Sequence, residues 1–472
     1  MTSYLGQPLK RFEDAKLITG NGRFINDISL PDMLHAVVVR SDHAHARIRS
    51  IDVSAARELA GVVEVLTGED LAGALPNIPI RAMGDRAIEV FNPPEHPVLA
   101  QGKVCYVGQP VAVVVATDPY LARDGADLVA VDYEVLPPVI DPDIAADEAT
   151  PVIHPDIGTN VAMRSVQEGG DIEAAFAQAD HVVRQMYRVP RLAPSPLETR
   201  GVIGDYDPAE DFLTVWDSTQ APHQVKRYLA QMLERPEETI RVVAPDVGGS
   251  FGIKDCLLPD DALIPYLSLR LERPVKWIED RQENLLTYHG RGMSLDVEAA
   301  VKSDGTFLGI RVKIVADLGA YFYFTSPFPL FNAARRITGP YQVPAVRAEL
   351  LGVITNKTPT AAYRGTGSPE AAFCIERTLD LIANDLGLDP AEVRRRNYIP
   401  AGSFPYTTCT GVVYDSGDYA RALERALELV DYPGWKEKTR LRKPLEPYLG
   451  IGLATFIKSS GAGGEHRIES AR

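Results

Sequence analysis

Cysteine is scarce in this chain of 472 residues, and the four present, Cys105, Cys256, Cys374 and Cys409, stand far apart with no CxxC pair. Such spacing offers neither the paired thiolates of a zinc site nor the clustered ones of an iron–sulfur centre, so any redox group must be held another way. Cys105 and Cys374 sit within apolar patterns and read as buried, inert thiols. Positive charge is also short, with 49 Lys and Arg against 64 Asp and Glu for a formal charge of -15. No long basic run offsets that deficit, which argues against nucleic acid and anionic lipid as partners. No apolar stretch approaches bilayer length, and Met1-Thr2-Ser3-Tyr4 leads into polar sequence without a signal-peptide core, so a cytoplasmic location and no membrane span are expected.

Two nucleotide signatures are missing as well, although glycine-rich sequence is not. The segment Arg241 to Asp255, RVVAPDVGGSFGIKD, brings a β-branched run to three glycines, a phenylalanine, a lysine and an acid. Walker A needs a Gly-Lys pair followed by Ser or Thr, but Gly252 is followed by Ile253 and Lys254 by Asp255. Gly248, Gly249 and Gly252 do not fit G-x-G-x-x-G either. Glycines without Cβ let backbone N–H groups approach a ligand, so the segment suits an oxygen-rich or anionic group. A second fit is the G-x-S-x-G elbow of serine hydrolases, with Ser250 as nucleophile. Its context is poor: Pro259 would disturb a helix starting at Ser250, and only His289 and His466 follow. A plain chain-reversing turn is the third option.

Composition, 45% apolar and 24% charged, is that of an ordinary globular protein long enough for two or three domains. Strands are expected at Leu34 to Arg40 and Val62 to Thr67, with a short helix starting at Ser54. The unbroken apolar run Val111 to Ala116 suits a strand buried on both faces. Asp118-Pro119 should cap and open a helix to Asp127, and a strand from Leu128 to Tyr133 would complete a β-α-β unit. Pro137-Pro138 and the acidic, alanine-rich stretch to Thr150 mark a domain boundary. Beyond it, helices are predicted at Asp171 to Ala179 and Gln224 to Leu233. Strands are predicted at His181 to Val189 and Val202 to Tyr206, and a hairpin turns at Ser303 to Thr306 between Ser294 to Val301 and Phe307 to Val315.

A second glycine-bearing loop, Ala362 to Glu370, follows a predicted strand from Glu349 to Thr355. Ser368 with Pro369 should cap a helix running to about Asn384, so a helix N-terminus, loop amides and the Arg364 guanidinium would meet as anion binding requires. An ion pair is the equally open role for Arg364. His43 and His45 would share one face of a strand, but no third ligand is evident, so a structural role is favoured and no metal site is assigned.

As an ordered set the motifs resemble the large, molybdopterin-binding subunit of the molybdenum hydroxylases, the xanthine dehydrogenase and aldehyde oxidase family. The set comprises Gly20 to Phe24 with Asp27, Arg40-Ser41 with His43 to Ala46, Val107 to Ala112, Ser218-Thr219-Gln220, Val247 to Lys254, Trp277 with Glu279 to Arg281, and Ala362 to Gly367. The resemblance implies an α+β chain. An N-terminal α/β hammerhead domain over 1–145 is followed by the first part of a mixed α/β molybdopterin-binding domain over 146–472. It implies molybdenum held by molybdopterin, in bacterial members usually as the cytosine dinucleotide, with 2Fe-2S and FAD only in partner subunits. Gln220 matches the glutamine that hydrogen-bonds an oxygen ligand of the metal. Phe251, flanked by Gly249 and Gly252, matches the residue whose backbone N–H points at the oxo group, and Arg364 matches the arginine lying against the cofactor.

Departures from the family pattern bear on substrate and on the reaction. Asp255 stands where xanthine-oxidising members carry a purine-contacting glutamate, and Thr366 where they carry the phenylalanine that packs on substrate. Gly365 stands where carbon monoxide dehydrogenases place a cysteine. An aldehyde or a non-purine N-heterocycle is therefore expected. The family's general base, a glutamate in a Gly-Glu loop, is expected beyond Arg472, as is the Gln-Gly loop that binds the pterin. Gly463-Gly464-Glu465 reads as a turn and no substitute. No catalytic residue is thus assigned within these residues, and activity of the chain alone is not expected. The missing half is expected on the same polypeptide or on a separate one, and the remaining alternative is a non-catalytic assembly fragment.

Overall fold

A computed structural model describes residues 4, 6–80, 88–441 and 448–458. The expectations placed on residues 1–3, on Gly463 to Glu465 and on His466 lie outside the described residues. The chain forms two compact units, one of Met1–Ile80, Glu95–Pro138 and Ala193–His289, the other of Arg81–Pro94, Val139–Leu192 and Gly290–Arg472.

The first unit is built on a seven-stranded sheet. Its strands lie in the order Ile240–Val243, Phe212–Asp217, Gly201–Asp207, Val275–Ile278, Leu34–Arg40, Pro110–Ala116 and Val62–Thr67. Every residue of Pro110–Ala116 is buried, as an unbroken apolar run demands of a strand covered on both faces. Asp118 caps the following helix, Pro119–Asp127, accepting from the amides of Tyr120 and Leu121. The expected β-α-β unit does not close, however. The strand Ala130–Val135 alternates between exposed and half-buried positions and pairs antiparallel with Ala46–Asp52 in a separate three-stranded sheet. A strand with one wetted face belongs in such a small antiparallel sheet, not beside the doubly buried run.

His43 and His45 are in a loop, not on a strand. The His43 ring meets Tyr133 edge-on at 4.8 Å, and His45 Nδ1 lies 3.0 Å from the Pro137 carbonyl oxygen. Among the described residues no cluster of three or more His, Cys, Asp or Glu is placed to hold a metal, and no helix is long and apolar enough to cross a membrane.

The second unit carries a six-stranded sheet whose long hairpin, Gly290–Val301 with Phe307–Gly319, turns at the predicted place. Phe307–Gly319 also pairs parallel with Ala345–Ile354. The helix Ser368–Leu386 follows, with buried Ala371, Cys374, Ile375, Leu379 and Ile382 recurring at helical spacing along one face. Its N-cap is Gly367 in a left-handed conformation, one residue before the predicted Ser368. Ser368 Oγ instead accepts from Arg336 at 2.6 Å.

Candidate active site

Two parallel neighbours in the first sheet, Phe212–Asp217 and Ile240–Val243, end at the same edge. The first delivers Ser218-Thr219-Gln220 and the second delivers the glycine loop, so both motifs emerge beside the carboxyl ends of adjacent parallel strands, where open sheets commonly bind ligands. The two segments are then stitched together. Gln220 N donates to the Lys254 carbonyl oxygen at 3.0 Å, Thr219 Oγ1 to the same oxygen at 3.1 Å, and Gln224 Nε2 to the Asp255 carbonyl oxygen at 3.1 Å. Between side chains, Gln220 Nε2 donates to Asp255 Oδ1 at 3.0 Å, and Ser250 Oγ donates to Gln220 Oε1. Burial pushes the Asp255 carboxyl up to about 6, against the opposing pull of the Gln220 amide.

Beneath the loop, Lys254 is buried and donates to Glu198 Oε2 at 2.8 Å and to Ser218 Oγ at 2.7 Å. The same carboxylate oxygen accepts from Gly248 N at 2.7 Å and from Ser218 Oγ at 2.7 Å. Burial lowers the Lys254 pKa and Glu198 opposes that shift. Glu198 is a site residue that motif reading misses: it lies 56 positions from its lysine, and no local spacing links the two.

A larger charged cluster backs this one. Arg200 pairs with Asp260 at 2.7 Å, Glu279 at 3.0 Å and Asp261 at 3.4 Å, while Arg40 pairs with Asp260 and Glu283, both at 2.8 Å. The two guanidinium groups lie 5.0 and 6.0 Å from the centroid of the buried Trp277 ring. Carboxylates outnumber the cations here, and burial pushes Asp261 up to about 6 and Asp217 further above its ordinary range. Asp260, caught between Arg40 and Arg200, is held below that range despite burial. The Trp277 and Glu279 motif thus has a structural meaning: it anchors the helix Pro259–Leu271 that follows the loop.

The loop backbone visits the left-handed region at Gly249 (φ +97°), Phe251 (φ +57°) and Gly252 (φ +116°). A Cβ on Gly248 would meet Glu198 Cβ at 2.5 Å. Residues turned this way present successive amides to one side, a concavity suited to an anion. Beside it opens a groove of about 900 Å³ lined by Phe24, Leu197, Glu198, Val247, Gly248 and Gly249. Backbone amides, a carboxamide and a hydroxyl, with no second carboxylate in the Ser250–Gln220–Asp255 set, fit an oxygen-bearing anionic cofactor. The serine hydrolase alternative fares worse. No helix starts after Ser250, the next one opening at Pro259, and His289 Nε2 lies 2.9 Å from the Leu285 carbonyl oxygen.

In the second unit, the Arg364 carbonyl oxygen accepts from Arg291 at 2.9 Å. Arg291 is itself held by buried Glu370 at 3.0 Å and lies 4.7 Å from the centroid of the Tyr363 ring. The Arg364 side chain is exposed, and Thr366 is left-handed at φ +47°. The unit also has an apolar groove of about 790 Å³ between the helices Tyr419–Leu429 and Tyr432–Arg440 and the segment 449–456. It contains none of the predicted site residues.

Residues 153–398 match the molybdopterin cofactor-binding domain, and residues 19–137 match the hammerhead domain of aldehyde oxidase and xanthine dehydrogenase. The chain belongs to this molybdenum hydroxylase family, as a large-subunit sequence. It is 40% identical over 474 residues to the carbon monoxide dehydrogenase large chain of Hydrogenophaga pseudoflava, covering 96% of this chain and 58% of that one. Against the nicotinate dehydrogenase large molybdopterin subunit of Eubacterium barkeri it is 33% identical, covering 92% of this chain and 98% of that subunit. The crystal structure of quinoline 2-oxidoreductase from Pseudomonas putida 86 superposes with a TM-score of 0.87 at 37% identity, over 92% of this chain and 55% of that one. The chain thus spans little more than half the length of most of the curated relatives it matches.

Proposed function

We propose that these residues form the part of a molybdenum hydroxylase large subunit that orients the oxygen ligands of the cofactor. The enzyme hydroxylates an N-heterocycle or an aldehyde with water-derived oxygen. The observation that carries this reading is the stitching of Gln220 to the loop Ser250 to Asp255, which brings a carboxamide and left-handed backbone to one edge. When bound, a molybdenum–molybdopterin group, proposed as the cytosine dinucleotide, would supply the two-electron chemistry. Gln220 and the amide of Phe251 would orient its oxygen atoms, Gly249 and Gly252 would allow close approach, and Arg364 would neutralise charge. Such preorganised donors act at no reorganisation cost during the reaction.

On this reading residues 1–145 are the hammerhead domain and 146–472 the first part of the cofactor domain, in a cytoplasmic complex whose other subunits carry 2Fe-2S and FAD. The relatives named for quinoline and nicotinate support an N-heterocycle. Gly365, without a side chain, argues against carbon monoxide despite the likeness to that dehydrogenase. Thr366 is assigned to the substrate side. Co-expression with the neighbouring genes should give a complex with one molybdenum per large subunit and oxygen from labelled water in its product; a molybdenum-free complex under molybdate-replete growth would refute the assignment.

A further inference from the structure

The resemblance gives Asp255 to the substrate, but one oxygen of its carboxylate, Oδ1, is engaged by Gln220. Gln220 has a carboxamide whose two ends are chemically opposite, and rotation about its last side-chain torsion interchanges them at little intrinsic cost. In this structure both ends have partners. Nε2 donates to Asp255 Oδ1 at 3.0 Å, and Oε1 accepts from Ser250 Oγ. An ionised carboxylate only accepts, so the atom beside Asp255 must be the nitrogen; a hydroxyl adapts, so Ser250 then donates to the oxygen. The bonds from Gln220 N to the Lys254 carbonyl and from Gln224 Nε2 to the Asp255 carbonyl hold the two segments at fixed separation.

We propose that Ser250 and Asp255 are positioning residues that hold the Gln220 carboxamide in one orientation, leaving its second N–H to donate to an oxygen atom of the cofactor, and that Asp255 is not a substrate contact. The proposal rests on the assignment of Gln220 to the cofactor given above. Alanine at 255 frees the amide to present its carbonyl instead of its N–H, which replaces an attraction by a repulsion toward any oxygen ligand. Asparagine at 255 keeps an acceptor, since its own carbonyl can take the Gln220 N–H.

The test compares Q220A, S250A, D255A and D255N in the enzyme purified with its partner subunits. It reads kcat and KM separately, together with molybdenum retained after dialysis. D255A and S250A should each lower kcat by roughly tenfold to a hundredfold with KM changed less than about twofold. D255A should also lose molybdenum on dialysis, and D255N should recover most of both losses. A rise in KM at unchanged kcat for D255A would make Asp255 a substrate contact and overturn the proposal. Impairment by Q220A with S250A and D255A silent would overturn it alone, whereas a silent Q220A would remove the assignment of Gln220 itself.

Discussion

The Lys254 ammonium, its side chain wholly shielded from solvent, donates to Glu198 Oε2 at 2.8 Å, and the same oxygen accepts from Gly248 N at 2.7 Å. One carboxylate therefore neutralises the only lysine of the glycine loop and pins the loop's first glycine. Removing one partner strands a buried charge, whereas removing both does not. Glu198→Ala should cost about 3–5 kcal/mol and Glu198→Ala with Lys254→Met distinctly less than the sum of the two single changes. Urea denaturation followed by tryptophan fluorescence reads this, and additive effects would show that the pair is not coupled.

Glycine is required at two places in the loop for different reasons. At Gly249 the backbone is left-handed at φ +97°, and at Gly248 a Cβ would sit 2.5 Å from Glu198 Cβ. Gly249→Ala should lose about 1–2 kcal/mol to backbone strain. Gly248→Ala should instead lose stability by displacing Glu198, without backbone strain of its own. Urea denaturation of the two variants reads these losses, and a Gly248→Ala protein as stable as wild type would count against the Glu198 link.

In the second unit, Arg291 holds Glu370, Tyr363 and the Arg364 carbonyl at once. Lysine has neither the planar fork nor the reach to serve all three. Arg291→Lys should lower Tm and reduce molybdenum retention, while Arg364→Ala, an exposed change, should reduce retention with little change in Tm. A fall in Tm for Arg364→Ala comparable to that of Arg291→Lys would point to an ion-pair role for Arg364 instead.

The Asp255 carboxyl holds its proton more tightly in the folded protein, at about 6 against an ordinary 3.8. Its contribution to stability is therefore complete below about pH 4 and is lost as the pH rises through about 6. Asp255→Asn removes that dependence. The stability of the wild type relative to the Asn variant should fall by about 3 kcal/mol between acid and neutral pH. Parallel Tm profiles for the two proteins would show that the carboxyl titrates normally.

Much of the framework was legible because it follows local rules. Alternation and β-branching located Leu34–Arg40 and Val62–Thr67, Asp118-Pro119 located a helix start, and the hairpin around Ser303 to Thr306 turned where a Gly-bearing loop parts two strand patterns. The pairing of those elements was not local. The fate of Ala130–Val135 depended on its one-sided burial, and a G-x-S-x-G pattern could not reveal that Ser250 binds Gln220. Motif order brought Gln220 and Phe251 into one proposal, but Glu198, which holds Gly248 and Lys254 of the same loop, is distant in sequence and carries no period or turn signal.

The pairing of Leu34 with Val275 in the first sheet has a consequence during synthesis. Leu34–Arg40 leaves the ribosome about 240 residues before the strand that pairs with its first two residues, Leu34 and His35. At roughly 5–20 residues per second that interval lasts on the order of ten to fifty seconds. Throughout it, a strand of alternating buried residues presents an unpaired edge that any neighbouring nascent chain can template on. Yield is therefore expected to depend on growth temperature and chaperone supply before any cofactor is inserted.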